Sequence, residues 1–250
     1  MTETPKHDKD IALRILDRQK QMSSYRTNWE STWWAIDQKV LPSPNHWFGN
    51  KPQEGARVNQ HIFDSTASLA LGKFSAAMES MLTPRNTQWH KLNAGNLSAN
   101  VEIQRYLDSV NDILFKARYS PAANFASQIA EVYLSLGKFG TGALFVYDEL
   151  GKGIRYKSIH LSELFIIENA FGVVDTVHRK FQYTAHQAVE MFGIDKLPEK
   201  VIKSLDKGQR DKFTFIHCVE PNYEYDAYDQ SLANFKWRSY YVLEDDNSLV

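Results

Sequence analysis

The run LGKFGTGALFVYDE, residues 136–149, is where this chain changes its period. Upstream of it, apolar residues return every three or four positions, as on one face of a helix. Downstream, β-branched and aromatic residues cluster in short runs bounded by glycine and proline, as in strands. Gly137 and Gly140 mark the exit from the last helix and TGALFVYDE begins the first strand. A helical half followed by a strand-rich half with short helices is an α+β pattern. A repeating βαβ order, as in a doubly wound nucleotide-binding domain, is absent from it.

Working back from residue 136, four helices are expected. The longest covers 9–39, with Ile15, Met22, Trp29 and Ile36 spaced by seven, Ile11 and Tyr25 between them, and Trp33 and Val40 extending the stripe. Arg14, Asp17, Lys20 and Asp37 fall on the other face, and the basic residues Arg14, Arg18, Lys20 and Arg26 read as a solvated surface with local ion pairs. VLPSPNHWFGNKPQEG, 40–55, is a connector broken by proline and glycine, in which Trp47 and Phe48 could pin the loop. Further helices are expected over 62–82, 99–117 and 122–138, with QWHKL at 88–92 as a short strand. Core positions are Leu69, Phe74, Met78 and Met81 in the first of these, Val101, Leu107, Val110 and Leu114 in the second, and Phe125, Ile129, Val132 and Leu136 in the third.

Working forward, GIRYKSI, LFIIEN and VVDTVHRKFQY continue the strands, with a turn at 170–172. Thr184 followed by Gln187 is a capping box for the helix AHQAVEMF, which Gly193 ends. LPEKVIKSL is another short helix, and DKFTFIHCVEP and FKWRSYYVL form a terminal hairpin around an acidic, tyrosine-rich stretch. Three consecutive regions follow: a helical one over 1–140, a mixed β/α one over 141–222, and an acidic linker with a hairpin over 223–250.

Composition sets further bounds. Hydrophobic residues make up 43% and the aromatics include 14 Phe, 12 Tyr and 6 Trp, enough to build a core. Lys and Arg number 29 against 30 Asp and Glu, a net charge of −1, so bulk charge cannot hold nucleic acid and only a local or assembled patch could. No apolar run suggests export or a membrane span, and a lone cysteine, Cys218, suits a reducing compartment.

Chemical motifs are weak. GKFGTG at 137–142 lacks the lysine and spacing of a phosphate loop. The eight histidines form no zinc spacing; His160 with Glu163, and His178 with Glu168, could at most be hydrogen-bonded pairs. No GxSxG elbow is present, and the Asp226/Asp229 and Asp245/Asp246 pairs suit exposed connectors better than a metal. No catalytic residue, cofactor or metal is therefore expected. Trp29, Trp33, Trp47 and Trp89 are assigned to scaffold or subunit packing, and Arg179, Lys180, Lys236 and Arg238 to DNA or subunit contacts once copies assemble.

The order of the blocks adds what their chemistry does not. The helix around YRTNWESTWWAI, the connector LPSPNHWF, HIFDSTASLALGKFSAAMESMLTPRNTQWHKL, LGKFGTGALFVYDE, FGVVDTVHRKFQYTAHQAVEMFG and FIHCVEPN stand in an order that resembles the head-to-tail connector, or portal, proteins of short-tailed bacteriophages, over residues 10–222. The resemblance implies a non-enzymatic subunit of a twelve-membered ring at one capsid vertex of the virion, assembled in the host cytoplasm. It implies passage of double-stranded DNA without sequence specificity. The implied partners are further copies of itself, the packaging terminase, scaffold and capsid proteins and a tail adaptor, with no membrane. By that resemblance these residues would be a helical wing scaffold and its mixed β region, with the stem and crown expected after position 250. Two alternatives remain open at this point: a capsid-associated adaptor that forms no channel, and a phosphate-handling accessory enzyme.

Overall fold

The computed structural model describes residues 6–43, 47, 61–95, 100–149, 151–208, 211–229, 231 and 234–250. Its helices are α1 (Lys6–Val40), α2 (Thr66–Leu82), α3 (Val101–Arg118), α4 (Phe125–Phe139), α5 (Ala185–Phe192) and α6 (Glu199–Asp206). Its strands are β1 (Ala143–Glu149), β2 (Gly153–Ile159), β3 (Leu164–Glu168), β4 (Val174–Thr184), β5 (Lys212–Pro221), β6 (Trp237–Leu243) and β7 (Ser248–Leu249). The fold is α+β, and every strand pair is antiparallel. Two compact units emerge, 1–29 with 163–250, and 30–162. The first is discontinuous in sequence.

The discontinuous unit is built on one sheet in the order β3-β4-β5-β6-β7. Residues opposite one another share a face, so the register sorts the side chains. His178, Cys218 and Tyr240 are aligned, as are Lys180, Ile216 and Val242, on the face that packs against Ala12, Ile15 and Leu16 of α1. Phe181, Phe215 and Leu243 are aligned on the other, against Ala185 and Ala188 of α5 and Val201 of α6. Both faces are thus covered, which is why β5 reads as a nearly continuous buried run rather than a clean alternation.

Burial corrects the expected stripe on α1. Ile15 and Met22 are buried, but Tyr25 is 86% and Trp29 61% exposed, while Gln19, Arg26, Glu30 and Asp37 are buried. Polar groups occupy the inward face because partners for them arrive from distant segments of the chain. Arg26, for example, donates to the Leu164 carbonyl and lies 3.8 Å over the Phe165 ring.

In the unit 30–162, α2 packs on α4, and α4 on the β1–β2 hairpin. Close approach comes from Gly137 of α4, where a Cβ would fall 2.6 Å from Leu71 Cδ1 and 2.8 Å from Phe74 Cδ1. The buried residues of α2 are accordingly Leu71 and Ser75, and the expected core positions Leu69 and Met81 are exposed, as is Val101 in α3. Gly140, at φ 71°, caps α4 in the left-handed region and turns the chain toward β1. Residues 88–92 form no strand: the Leu92 amide donates to the side chain of buried Asn111, which replaces a ladder. Trp89 instead joins Phe115, Tyr119, Phe125 and Tyr156 in an aromatic cluster. Among the described residues no helix is long and apolar enough to cross a membrane.

Candidate functional site

The most concentrated polar chemistry in the unit 30–162 lies at the C-terminal ends of α1 and α4. Asp37 and Lys138 are both almost wholly buried, and Lys138 Nζ lies 2.7 Å from Asp37 Oδ1 and 3.1 Å from the Leu41 carbonyl. The second carboxylate oxygen accepts from the amide and hydroxyl of Ser43, at 3.2 and 3.0 Å. Every charge therefore has a partner, as burial requires. The cation at the end of α4 also meets its helix dipole favourably. Trp47 closes the site, its ring 5.4 Å from Trp33, 5.3 Å from Phe139 and 5.4 Å from His160.

Aspartate, serine and histidine in one chain of contacts invite a nucleophile reading, but the polarity runs the wrong way. The Ser162 amide donates to His160 Nδ1 at 3.1 Å, so the ring proton is on Nε2, which donates to Ser43 Oγ at 3.3 Å. Ser43 in turn donates to Asp37. The imidazole is therefore not placed to take the serine proton, the step a hydrolytic triad needs. These contacts fix the chain after α1 in place. His160 bonds Ser43 and Ser162, and Glu163 pairs with Arg179 at 3.1 Å.

In the other unit the notable group is Glu220 at the end of β5. Arg14 grips it with two contacts, at 3.0 and 2.5 Å, and Arg18 adds a third at 2.6 Å. Burial pushes its acid strength down, but the Arg14 hydrogen bonds and the two guanidinium charges prevail and hold the carboxyl below its ordinary range. The Arg14 and Arg18 side of the basic face expected on α1 is thus tied to the sheet, while Lys20 pairs locally with Asp17. Beside Glu220, His178 Nδ1 lies 3.0 Å from Gln19 Oε1, not against Glu168. Burial, reinforced by Arg18 and Arg14 and opposed by Glu220, lowers its pKa to about 4. His217 stacks on Tyr241 at 4.1 Å, contacts Ser239 Oγ at 2.8 Å, and is lowered to about 4 by burial and by the charges of Arg179 and His178. Burial raises the Cys218 thiol to about 12, with Glu220 adding to it, so it stays protonated and unreactive.

The residues singled out in the sequence are dispersed. Trp33 and Trp47 meet at the Asp37–Lys138 site, Trp89 donates to Tyr119 Oη at 3.0 Å, and Trp29 stands on an exposed part of α1. Thr184 Oγ1 accepts from the Gln187 amide at 3.4 Å and Gln187 Oε1 from the Thr184 amide at 3.0 Å. Arg179 is buried beside Phe181, Lys180 pairs with Glu244 at 2.6 Å, Lys236 is exposed and lies 5.7 Å over Tyr225, and Arg238 pairs with Glu224. Phe48 lies outside the described residues. Sequence reasoning missed Asp37, Lys138, Ser43 and Glu220 as sites. For Asp37 a signal existed, an acid at the C-terminal end of a helix where its charge opposes the dipole and needs a cation.

Neither cluster is an open reaction centre; both fasten secondary structure. Residues 12–250 match the family described as bacteriophage head to tail connecting protein, and the chain belongs to that family. It is 27% identical over 230 residues to the "Probable portal protein" of Bordetella phage BPP-1, and 28% identical over 238 residues to the "Portal protein" of Salmonella phage epsilon15. Each alignment covers 91% of this chain and 41% of the relative, so the chain spans less than half the length of the portal proteins it matches.

Proposed function

We propose that this chain is the wing region of a phage portal subunit, and that it carries no catalytic activity. In this reading the ring has about twelve copies, occupies one capsid vertex, nucleates head assembly in the host cytoplasm, docks the packaging terminase and later joins the head to the tail adaptor. The observation that carries the reading is the family match over residues 12–250, nearly the whole chain. Two features of the molecule agree with it: the Asp37–Lys138 pair is internally neutralised, and the net charge is −1. A ring through which DNA must slide should not grip phosphates, because each neutralised phosphate adds salt-sensitive affinity.

Electron microscopy of the whole gene product tests the ring. Closed rings with a central opening are expected; a product that stays monomeric under native assembly conditions overturns the proposal. A DNA titration in rising salt tests this second point, with weak, sequence-independent binding lost by physiological salt as the expected result.

A further inference from the structure

The chain that leaves β5 is fastened by two asparagines. The Asn222 amide donates to the Lys236 carbonyl at 2.9 Å, and the Asn222 side chain donates to the Phe235 carbonyl, also at 2.9 Å. Asn234 donates to the carbonyls of Asp226 and Asp229 and accepts from the Asp226 amide at 3.1 Å. A backbone held in this way pays little further ordering cost when its side chains meet a partner. Residues 223–229 read YEYDAYD, with Glu224, Asp226 and Asp229 and neither lysine nor arginine among them. Tyr223 is 82% and Tyr228 94% exposed. Tyrosines displayed on a fixed backbone are the kind of anchor that protein interfaces favour.

A surface of the opposite sign lies at the other end of the same strand. Residues 223–229 follow the end of β5, whereas α6 precedes its start and packs Val201 against Phe215, so the length of β5, roughly 30 Å, separates them. Val201 and Ser204 form the buried side of α6. Lys200, Lys203 and Lys207 recur at i, i+3 and i+7 and share one exposed edge, with Glu199 and Asp206 on its flank. Lys203 pairs with Glu199 at 2.9 Å and Lys200 with Asp245 at 3.5 Å, both at the surface, where such pairs contribute little and exchange readily for better ones.

We propose that residues 223–229 of one copy dock on the Lys200, Lys203 and Lys207 edge of α6 in the next, carboxylates against ammonium groups and tyrosine rings against the lysine stems. This rests on the ring reading and deepens it by naming a contact. An ammonium group gains twice there, from a carboxylate and from the face of a tyrosine ring. The two surfaces are unlike and stand at opposite ends of one sheet, so the contact is head-to-tail, the kind that closes into a ring. Pairing either surface with its own copy would set like charges together.

The test uses the whole gene product with benzoylphenylalanine in place of Tyr228, a photo-crosslinking aromatic for an exposed aromatic. Rings of the parent protein, with crosslinks from position 228 to residues 196–207 of another copy, are the expected result. Rings whose crosslinks map elsewhere, to another protein, within the same chain or nowhere overturn this contact and leave the ring reading standing. A parent that forms no rings overturns both. Charge gives a second readout: Lys203→Glu with Lys207→Glu should cut the crosslink yield roughly 10-fold at low salt. Lys203→Gln with Lys207→Gln, which removes the charges without reversing them, should cut it less, and added salt should lower the yield of the unsubstituted edge. A yield indifferent to these changes and to salt overturns the pairing.

Discussion

The two units bury polar groups by opposite means. In the unit 30–162, Asp37 and Lys138 go into the interior as a pair, with Ser43 and the Leu41 carbonyl completing their contacts. In the sheet unit, His178, His217 and Cys218 go in neutral, and the buried charge of Glu220 is met by Arg14 and Arg18 reaching in from partly exposed positions. Pairing makes a site sensitive to removal of one partner. Neutral burial makes a site sensitive to acid.

The sharpest break of that comparison is at the pair. Lys138→Met leaves Asp37 charged, buried and short of its cation, and should cost about 3–5 kcal/mol in a denaturant titration. Asp37→Leu together with Lys138→Met removes both charges and should recover most of that loss. A single variant as stable as the parent would mean the pair is not buried as described.

Acid is the next lever, and it should act on the sheet unit. His178 and His217 have pKa values of about 4 when folded against about 6.5 when unfolded, so between those values the unfolded chain binds more protons. Stability is therefore full above pH ~6.5 and falls as pH drops toward ~4, by up to about 3 kcal/mol for each histidine. Hydrogen exchange at pH 7 and pH 4.5 should show β4 and β5 losing protection, with the α2–α4 pair much less affected. Replacing His178 by glutamine should remove its share of the pH slope.

What could be read from the sequence follows from how far apart the partners lie. The strands were legible because β-branched and aromatic runs between turn residues need only neighbouring positions to be recognised. So was the Thr184–Gln187 spacing, three residues long. The clusters were not, since Arg14 and Glu220 are 206 residues apart and Asp37 and Lys138 are 101 apart. Position on a helix could not distinguish Trp29 from a core residue. The inward face of α1 contains Gln19, Arg26 and Glu30, which a hydrophobic periodicity necessarily scores as outward.

A smaller effect is expected at the cap. Thr184→Ala removes the hydroxyl that accepts from the Gln187 amide and should cost about 0.5–2 kcal/mol, confined to α5 and the face of the sheet it covers. Equal unfolding free energies for variant and parent would reject that role.

The smallest effect on folding should come from a tryptophan. Trp47 is buried among Trp33, Phe139 and His160, so Trp47→Ala opens a cavity and should cost about 3–5 kcal/mol. Trp29 is 61% exposed, and truncating an exposed side chain usually changes stability by less than about 0.5 kcal/mol. If Trp29 nevertheless serves subunit packing, its loss should appear in assembly alone: Trp29→Ser should melt like the parent and yield fewer rings by native mass measurement. A variant that melts early places Trp29 in the folding of the single chain, and one that assembles normally removes it from the contacts between copies. The two tryptophans, eighteen positions apart in a sequence that gives them the same hydrophobicity, would then mark the difference between what holds one copy together and what joins it to the next.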